Sequence, residues 1–254
     1  MAATVDALGS IAQLPGVAES AERARSAVDA LLWRRDVRAA AAEVAAASVE
    51  RGARASAAID GADVVVVDDS PMGRVLDAAV RLTAAVPSHV DEFARTPLQA
   101  LAALHVLTAT GFAESDALGR PRATDTADDP LNLCDLVPAA AVSDRLMTLA
   151  AVLTAPTQAP AVVVAAIAHA EIAVVRPFGW GSGLLARAVT RLVLAGRGVD
   201  PSLFSIPEHG MAELGRTSYV RALRGYASGS PDGVAGLVEW HATAIVIGAE
   251  AVNP

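Results

Sequence analysis

The sequence predicts a mostly α-helical fold, on the basis of its composition and its apolar spacing. Hydrophobic residues make up 53% of the 254 residues but aromatic residues only 4%, so the core must consist mainly of Ala, Val and Leu. This composition favours closely packed helices. Apolar residues also recur at helical spacing along most of the chain, without a repeat of solenoid length. The length allows one large domain or a domain with a helical extension.

The helical segments can be predicted in chain order from this spacing. Two helices over 17–35 and 37–58 form an N-terminal extension, and Gly61 is well placed to end the second. The four valines at 64–67 predict either a short strand or an apolar plug. Further helices are predicted over 71–85, 97–110, 139–153, 160–175, 183–196, 215–227 and 233–251. Between them, 111–138 loses the helical period and carries five aspartates, which indicates a long surface loop of the kind that often borders a site.

Composition and charge narrow the classes of partner. Twenty basic and twenty-eight acidic side chains give a net charge of -8, and no segment concentrates arginines among aromatics, so nucleic acid is not an expected partner. Residues 1–17 lack the pattern of a secretory signal, and the cleanest apolar stretch, 159–168, is too short to cross a bilayer. We therefore expect a cytoplasmic protein without membrane association. Cys134 is the single cysteine, which excludes an intrachain disulfide and a thiolate metal cluster and favours core filling.

A glycine-rich loop that leads into a helix dominates the central part of the chain, over 174–187. Pro177 fixes its own backbone, and glycines at 179, 181 and 183 permit sharp turns and close approach of a ligand. The amides of Gly181, Ser182, Gly183 and Leu184 are expected at a helix N-terminus, which attracts anions. The spacing does not fit a dinucleotide fingerprint, a phosphate-binding P-loop or a nucleophile elbow. A plain helix-entry turn is the alternative interpretation.

This stretch resembles the motif of Fic (Fido-domain) proteins, His-Pro-Phe-x-Asp/Glu-Gly-Asn-Gly/Lys-Arg-x-x-Arg. The matching positions are Pro177, Phe178, Gly181, Gly183 and Arg187, whereas Arg176 stands at the histidine, Trp180 at the acidic residue, Ser182 at the asparagine and Leu184 at the first arginine. His169, the segments 198–201 and 219–223, and Trp240 are similar to the surroundings of the motif. The resemblance covers roughly 60–250. It implies a Fido-like helical domain over 63–254 with a short flap or hairpin, preceded by a helical extension over 1–62.

A second match lies at the end of the extension. The segment from Ser56 to Asp60 and Gly61 resembles the Ser/Thr-x-x-x-Glu-Gly/Asn inhibitory helix that occludes the nucleotide site in many Fic proteins. In that family the acid pairs with the last arginine of the motif, so the resemblance implies a regulatory ion pair between Asp60 and Arg187. The alternative is that Asp60 is simply a turn residue before Gly61.

Fic enzymes typically transfer AMP from ATP to a protein hydroxyl, and the resemblance implies a histidine base, a carboxylate that holds Mg²⁺, and arginines on the phosphates. Here Arg176 stays protonated and cannot accept a proton. Trp180 offers no oxygen to a metal, and Leu184 offers only its amide. We therefore expect no standard AMP transfer and no Mg²⁺ site.

The anion-binding capacity of the loop remains. Gly181, Ser182, Gly183 and Arg187 form a candidate site for a phosphate of ATP or another nucleotide. As an exposed aromatic, Trp180 could stack on a base, anchor a partner or close an empty pocket. Three hypotheses follow: a non-catalytic binding or regulatory protein with a protein partner, a transferase with an altered donor or mechanism, and a structural module that forms homo-oligomers.

Overall fold

A computed structural model describes residues 6–63 and 68–253 of the chain. The described residues form twelve helices and no strand, which confirms the predicted all-α class. The helices are α1 Ala7–Ala12, α2 Val17–Trp33, α3 Arg35–Ala39, α4 Ala41–Ile59, α5 Pro71–Arg95, α6 Pro97–Ala109, α7 Ala139–Thr154, α8 Ala161–Val175, α9 Ser182–Gly196, α10 Pro207–Leu214, α11 Arg216–Ala227 and α12 Pro231–Glu250. None of these helices combines the length and the apolar character needed to cross a membrane.

Helix α8 lies at the centre of the molecule. Every residue from Val162 to Val175 is buried, because α9, α12, α2, α7 and α11 surround the helix. Its sequence consists almost entirely of alanine, valine and isoleucine, whose small side chains let neighbouring helices approach closely on every side. A helix that is apolar all round is typical of such a buried position. Helix α8 therefore fixes the place at which the α8–α9 turn emerges.

The remaining helices pack as layers around this centre. Helix α2 packs against α12, α5 packs against α6 and α9, and α4 lies against α5 and α10. Helices α10 and α12 approach to backbone contact. A Cβ atom at Gly210 would clash with the carbonyl of Ala244, and one at Gly248 would clash with that of Ile206. Glycine is therefore required at both positions for these helices to pack.

The helix boundaries differ from the sequence prediction in three places. Helix α5 does not end near residue 85 but continues through Pro87 to Arg95, because Val86 and Phe93 on the added turns are buried in the core. The prediction of one helix over 37–58 was wrong at its start, since 35–39 forms the separate α3 and α4 begins at Ala41. Helices α1 and α10 were not predicted, because short helices carry too few periods to be recognised. The valines at 64–67 lie outside the described residues.

The segment 110–138, which we call the covering loop, is irregular, as its loss of helical period predicted. The structure shows one isolated bridge in it, between Thr110 and Ala113, and no hairpin forms within the described parts of the chain. Cys134 near its end is half-buried and packs against the hydrophobic core. Burial raises the pKa of this thiol, which keeps it protonated and is consistent with a filling role.

Candidate functional site

The site is built on the turn between α8 and α9. Arg176 ends α8 in the left-handed conformation, with φ of 47°, and Gly181 caps α9 with φ of 78°. Between them, Phe178 is buried and its ring stacks on that of His105, with ring centres 4.0 Å apart. His105 Nδ1 accepts a hydrogen bond from the Gly119 amide at 2.9 Å, so Nε2 carries the proton and donates to the Trp180 carbonyl at 3.2 Å. Burial lowers the pKa of His105 to about 4, so its neutral ring holds the turn rigidly.

Arg176 stands at the position of the motif histidine, and both of its terminal nitrogens make structural contacts. Its Nη1 forms an ion pair with Asp129, and its Nη2 donates to the Cys134 carbonyl at 2.6 Å. Only 5% of the residue is exposed. A guanidinium in this position cannot accept a proton at physiological pH. The side chain instead anchors the covering loop to the turn.

A second buried arginine completes this attachment. Arg122 donates from Nε to the Arg176 carbonyl at 2.8 Å, and its two Nη atoms reach the carbonyls of Thr124, Val137 and Val175. Two backbone bonds of 2.8 Å run from the amides of residues 122 and 128 to the carbonyls of residues 177 and 179. The Arg122 side chain thus supplies hydrogen bonds to buried carbonyls that have no neighbouring strand to pair with. As a result the covering loop lies directly on the glycine-rich turn.

Trp180, at the position of the motif acid, is half-buried instead of exposed. Its ring stacks on Phe112 of the covering loop, with ring centres 3.7 Å apart and planes inclined by 6°. The guanidinium of Arg74 lies over the other ring of this pair, 5.0 Å from the centre of Phe112. The expectation of an exposed aromatic was wrong because Phe112, the single aromatic of the covering loop, covers the indole. Stacking of this kind excludes water from that side of the turn.

Arg187 and Asp60 form the ion pair that the resemblance implied. Arg187 Nη2 lies 2.5 Å from Asp60 Oδ2, and Arg187 Nε donates to Ser56 Oγ at 2.7 Å. Arg187 is fully buried, while the side chain of Asp60 is 10% exposed. Burial alone would lower the pKa of the guanidinium, but the Asp60 carboxylate and the Tyr219 hydroxyl together outweigh this and raise it. Arg187 is therefore charged, and α4 supplies its counter-charge.

The carboxylate of Asp60 also occupies the start of α9. A Cβ atom at Gly183 would lie 3.3 Å from both Asp60 carboxylate oxygens, and no side chain caps this helix. The hydroxyl of Ser182 faces back to the amide and carbonyl of Phe178. The N-terminus of a helix is a natural anion site, and here the anion is provided by the chain itself. Two buried polar atoms of the pair, Asp60 Oδ1 and Arg187 Nη1, remain without a hydrogen-bond partner among the described residues.

A chain of buried polar side chains continues behind Arg187. The Tyr219 hydroxyl lies 2.8 Å from His169 Nε2, whose Nδ1 is 3.2 Å from Thr190 Oγ1, and Thr190 in turn contacts His241 Nε2 at 3.0 Å. Burial lowers the pKa of His169 well below its usual value and that of His241 to about 3, and it raises the pKa of Tyr219 to about 12. All three rings are therefore neutral at pH 7. His169 is thus a packed core residue.

Helix α4 is fastened to α9 at a second point that the sequence analysis did not identify. Arg191 forms a buried ion pair with Glu208 of α10 at 2.7 Å and donates to the hydroxyl of Ser48 at 2.8 Å. Arg191 lies one helical turn after Arg187, and Ser48 lies two turns before Ser56. Both arginine–serine contacts therefore join the same face of α4 to the same face of α9. This regular spacing of serines and arginines is the sequence signal from which the contact between Arg191 and Ser48 could have been predicted.

The sequence-predicted site residues therefore fall into separate groups. Arg187, Gly183, Ser56 and Asp60 come together at the start of α9, beside Gly181 and Ser182, and Gly61 follows Asp60 with φ of 95°. Arg176 and Trp180 face the covering loop instead, whereas the side chain of Leu184 is buried in the hydrophobic core. In the part of the chain that the structure describes, no three His, Cys, Asp or Glu residues are placed to hold a metal ion.

No protein-family model and no curated protein sequence matches this chain. Solved structures do match it. A Fic family protein from Desulfovibrio desulfuricans G20 superimposes with a TM-score of 0.70 at 18% identity, covering 91% of this chain and 73% of that protein. A variant of Fic-1 from C. elegans superimposes with a TM-score of 0.66 at 16% identity, covering 91% and 70%. The Fic-1 structure without the substitution gives 0.62 at 16% identity, covering 92% and 71%.

These similarities extend over nine tenths of the chain, so they concern the whole helical arrangement and not the α8–α9 turn alone. They agree with the resemblance found in the sequence around residues 176–187. The chain has the fold of the Fic (Fido-domain) proteins.

Proposed function

We propose that this Fic-fold protein does not transfer AMP and acts as a binding or regulatory protein whose partner is another protein. The observation that carries the proposal is the state of Arg176. At the position of the motif base stands a buried guanidinium, bound by Asp129 and by the carbonyl of Cys134. Loss of a positioned general base reduces a rate by about a hundred- to ten-thousand-fold.

Two further positions support the same conclusion. Trp180 offers an indole ring stacked on Phe112 where the motif places a carboxylate for Mg²⁺. Leu184, at the first motif arginine, contributes its side chain to the hydrophobic core and leaves only its amide for a phosphate. Base, metal ligand and phosphate clamp are thus replaced together, so restoring one of them does not restore the reaction.

The proposal is tested by incubating the protein with labelled ATP and Mg²⁺ in a cell lysate, beside an active Fic enzyme as a positive control. Wild type and Asp60→Gly are compared, because the second variant vacates the start of α9. We expect label on proteins in the control reaction and none above background with either form of this chain. Transfer of label that Arg187→Ala abolishes overturns the proposal.

A second candidate function is favoured by the two unpaired atoms of the buried pair, Asp60 Oδ1 and Arg187 Nη1. Buried polar atoms are usually hydrogen-bonded, and a phosphate at the start of α9 would use the Arg187 nitrogen. This candidate is a transferase with a different phosphorylated donor or a different mechanism. It requires saturable nucleotide binding, measured by a thermal-shift series with and without Mg²⁺. Absence of binding in both wild type and Asp60→Gly removes this candidate.

A further inference from the structure

A small apolar pocket lies at the opposite end of α9 from the Asp60–Arg187 pair, where α9 meets α5 and α7. It has a volume of about 180 Å³. The lining residues are Phe93 and Ala94 of α5, Leu153 of α7, Leu192, Val193 and Gly196 of α9, and Arg197. Arg197 follows Arg187 at a distance of about 15 Å along the helix axis. We call this space the α9-end pocket.

The walls of the α9-end pocket are hydrophobic. Phe93, Leu192 and Val193 are buried, and Leu153 is half-buried. Gly196 keeps the pocket open, because a Cβ atom there would point into the gap between α9 and α5, 3.6 Å from the Val90 side chain. The volume of 180 Å³ is that of about six molecules of liquid water, which suits one short aliphatic chain.

Arg197 is the one charged residue among those that line the pocket. It is exposed together with Ala94 and Gly196, so these three residues form the mouth. Its Nη2 donates to the Leu153 carbonyl at 3.2 Å, and no carboxylate of the described residues lies within ion-pair distance of it. Burial lowers the pKa of Arg197, whereas a bonded carboxylate raises that of Arg145. The Arg197 guanidinium is therefore partly desolvated without a counter-charge.

The acidic residues around Arg197 have partners of their own. Asp200 accepts hydrogen bonds from the backbone amides that follow it. Arg197 also borders a polar cleft beside α2, where Asp29 faces Arg25 at 3.7 Å and Glu22 accepts a hydrogen bond from a serine of its own helix. The last carbonyls of α9 are bonded by the amides of 197–200, so the end of the helix does not need the guanidinium either.

We propose that the α9-end pocket binds a small aliphatic carboxylate, with its chain between α5, α7 and α9 and its carboxylate on Arg197. A guanidinium binds a carboxylate through two parallel hydrogen bonds. The apolar walls take up the chain and keep water away from the ion pair, which strengthens it. An uncharged apolar ligand would leave Arg197 without a counter-charge, and an anion with several charges would find no second cation among the lining residues.

Isothermal titration with isocaproate, a branched aliphatic carboxylate, tests the proposal. We expect saturable binding to the wild type that Arg197→Gln weakens by about tenfold or more. Ala94→Phe should abolish binding, because it places a ring at the mouth without replacing a buried side chain.

Each variant has a matched control that should leave the affinity unchanged. Arg23→Gln changes an exposed arginine of α2 that faces Glu19. Ala84→Phe adds the same ring at an exposed alanine of α5 that does not line the pocket. In a series of ligands, isocaproate should bind about tenfold or more tightly than propionate, because its additional carbon atoms are buried against the apolar walls.

Four results overturn the proposal. The first is no saturable binding of isocaproate, and the second is equal affinity for isocaproate and its neutral amide, which would show that Arg197 does not recognise the charge. The third is unchanged affinity in Arg197→Gln or Ala94→Phe, which would place the ligand elsewhere. The fourth is tighter binding of a peptide with a C-terminal leucine than of isocaproate, which would assign the pocket to the end of a protein chain. None of these results depends on whether the chain transfers AMP, so the two proposals are tested independently.

Discussion

Removal of the Asp60 carboxylate is the sharpest test of the buried pair. Asp60→Ala leaves the Arg187 guanidinium fully buried with the neutral hydroxyl of Ser56 as its remaining hydrogen-bond partner. An uncompensated buried charge costs about 3–5 kcal/mol. Because domains of this size are stable by about 5–15 kcal/mol, such a loss is a large fraction of the total. We expect it as a lower urea midpoint, followed by circular dichroism at pH 7.5.

Two matched variants show how large the loss of stability in Asp60→Ala is by comparison. Ser56→Ala removes a hydroxyl from the same guanidinium and should cost about 1.5–3 kcal/mol. Glu19→Ala breaks the exposed pair with Arg23 and should cost less than about 1 kcal/mol. Inorganic phosphate should recover part of the stability of Asp60→Ala by replacing the carboxylate at α9. If Asp60→Ala costs no more than Glu19→Ala, Asp60 is only a turn residue and the interpretation is refuted.

Three further predictions concern pH, the covering loop and helix packing. Burial lowers the pKa of His241 to about 3. Below pH 6.5 this histidine is therefore protonated in the unfolded chain but stays neutral in the folded chain. The contribution of this residue to the free energy of unfolding is therefore complete above pH 7 and falls by about 2 kcal/mol at pH 5. Urea unfolding at both pH values measures this loss. If His241→Gln loses as much stability between pH 7 and pH 5 as the wild type, the prediction is wrong. Arg176→Ala removes the tie to Asp129, so amides 128–136 should exchange at least tenfold faster by mass spectrometry, whereas equal exchange in wild type and variant would contradict the anchoring role. Gly210→Ala forces a methyl group against the Ala244 carbonyl and should cost about 1–3 kcal/mol, whereas Gly236→Ala in open space on α12 should gain up to about 1 kcal/mol; equal melting temperatures would show that α10 and α12 are not in backbone contact.

The fold class could be predicted from the sequence because it depends on composition and on a local period. An alanine- and valine-rich chain with few aromatics builds close helices, and most helices were identified from spacing alone. The extension of α5 past Pro87 could not be predicted in this way. Proline argues locally for a break, but the burial of Val86 and Phe93 by other parts of the chain decides in favour of the helix.

The site shows the same division between local and distant information. The pair of Asp60 and Arg187 joins residues 127 positions apart, and only the resemblance to a family linked them beforehand. The contact of Arg176 with Asp129 and the stack of Trp180 on Phe112 had no such guide. Nothing in the pattern of a loop states which of its five aspartates meets a given arginine, since this depends on how the loop lies on the finished core.

The packing of α2 against α12 has a consequence for how the chain reaches this structure. Residues 17–33 are synthesised long before residues 231–250, the helix that covers much of their apolar face. Until that segment emerges from the ribosome, the part of α2 that packs against α12 stays uncovered, although Val17, Val28 and Leu31 are all buried in the final core. Contacts between such distant segments slow folding and leave hydrophobic surface exposed until they form. The apolar face of α2 is therefore completely buried only after residues 231–250 have been made.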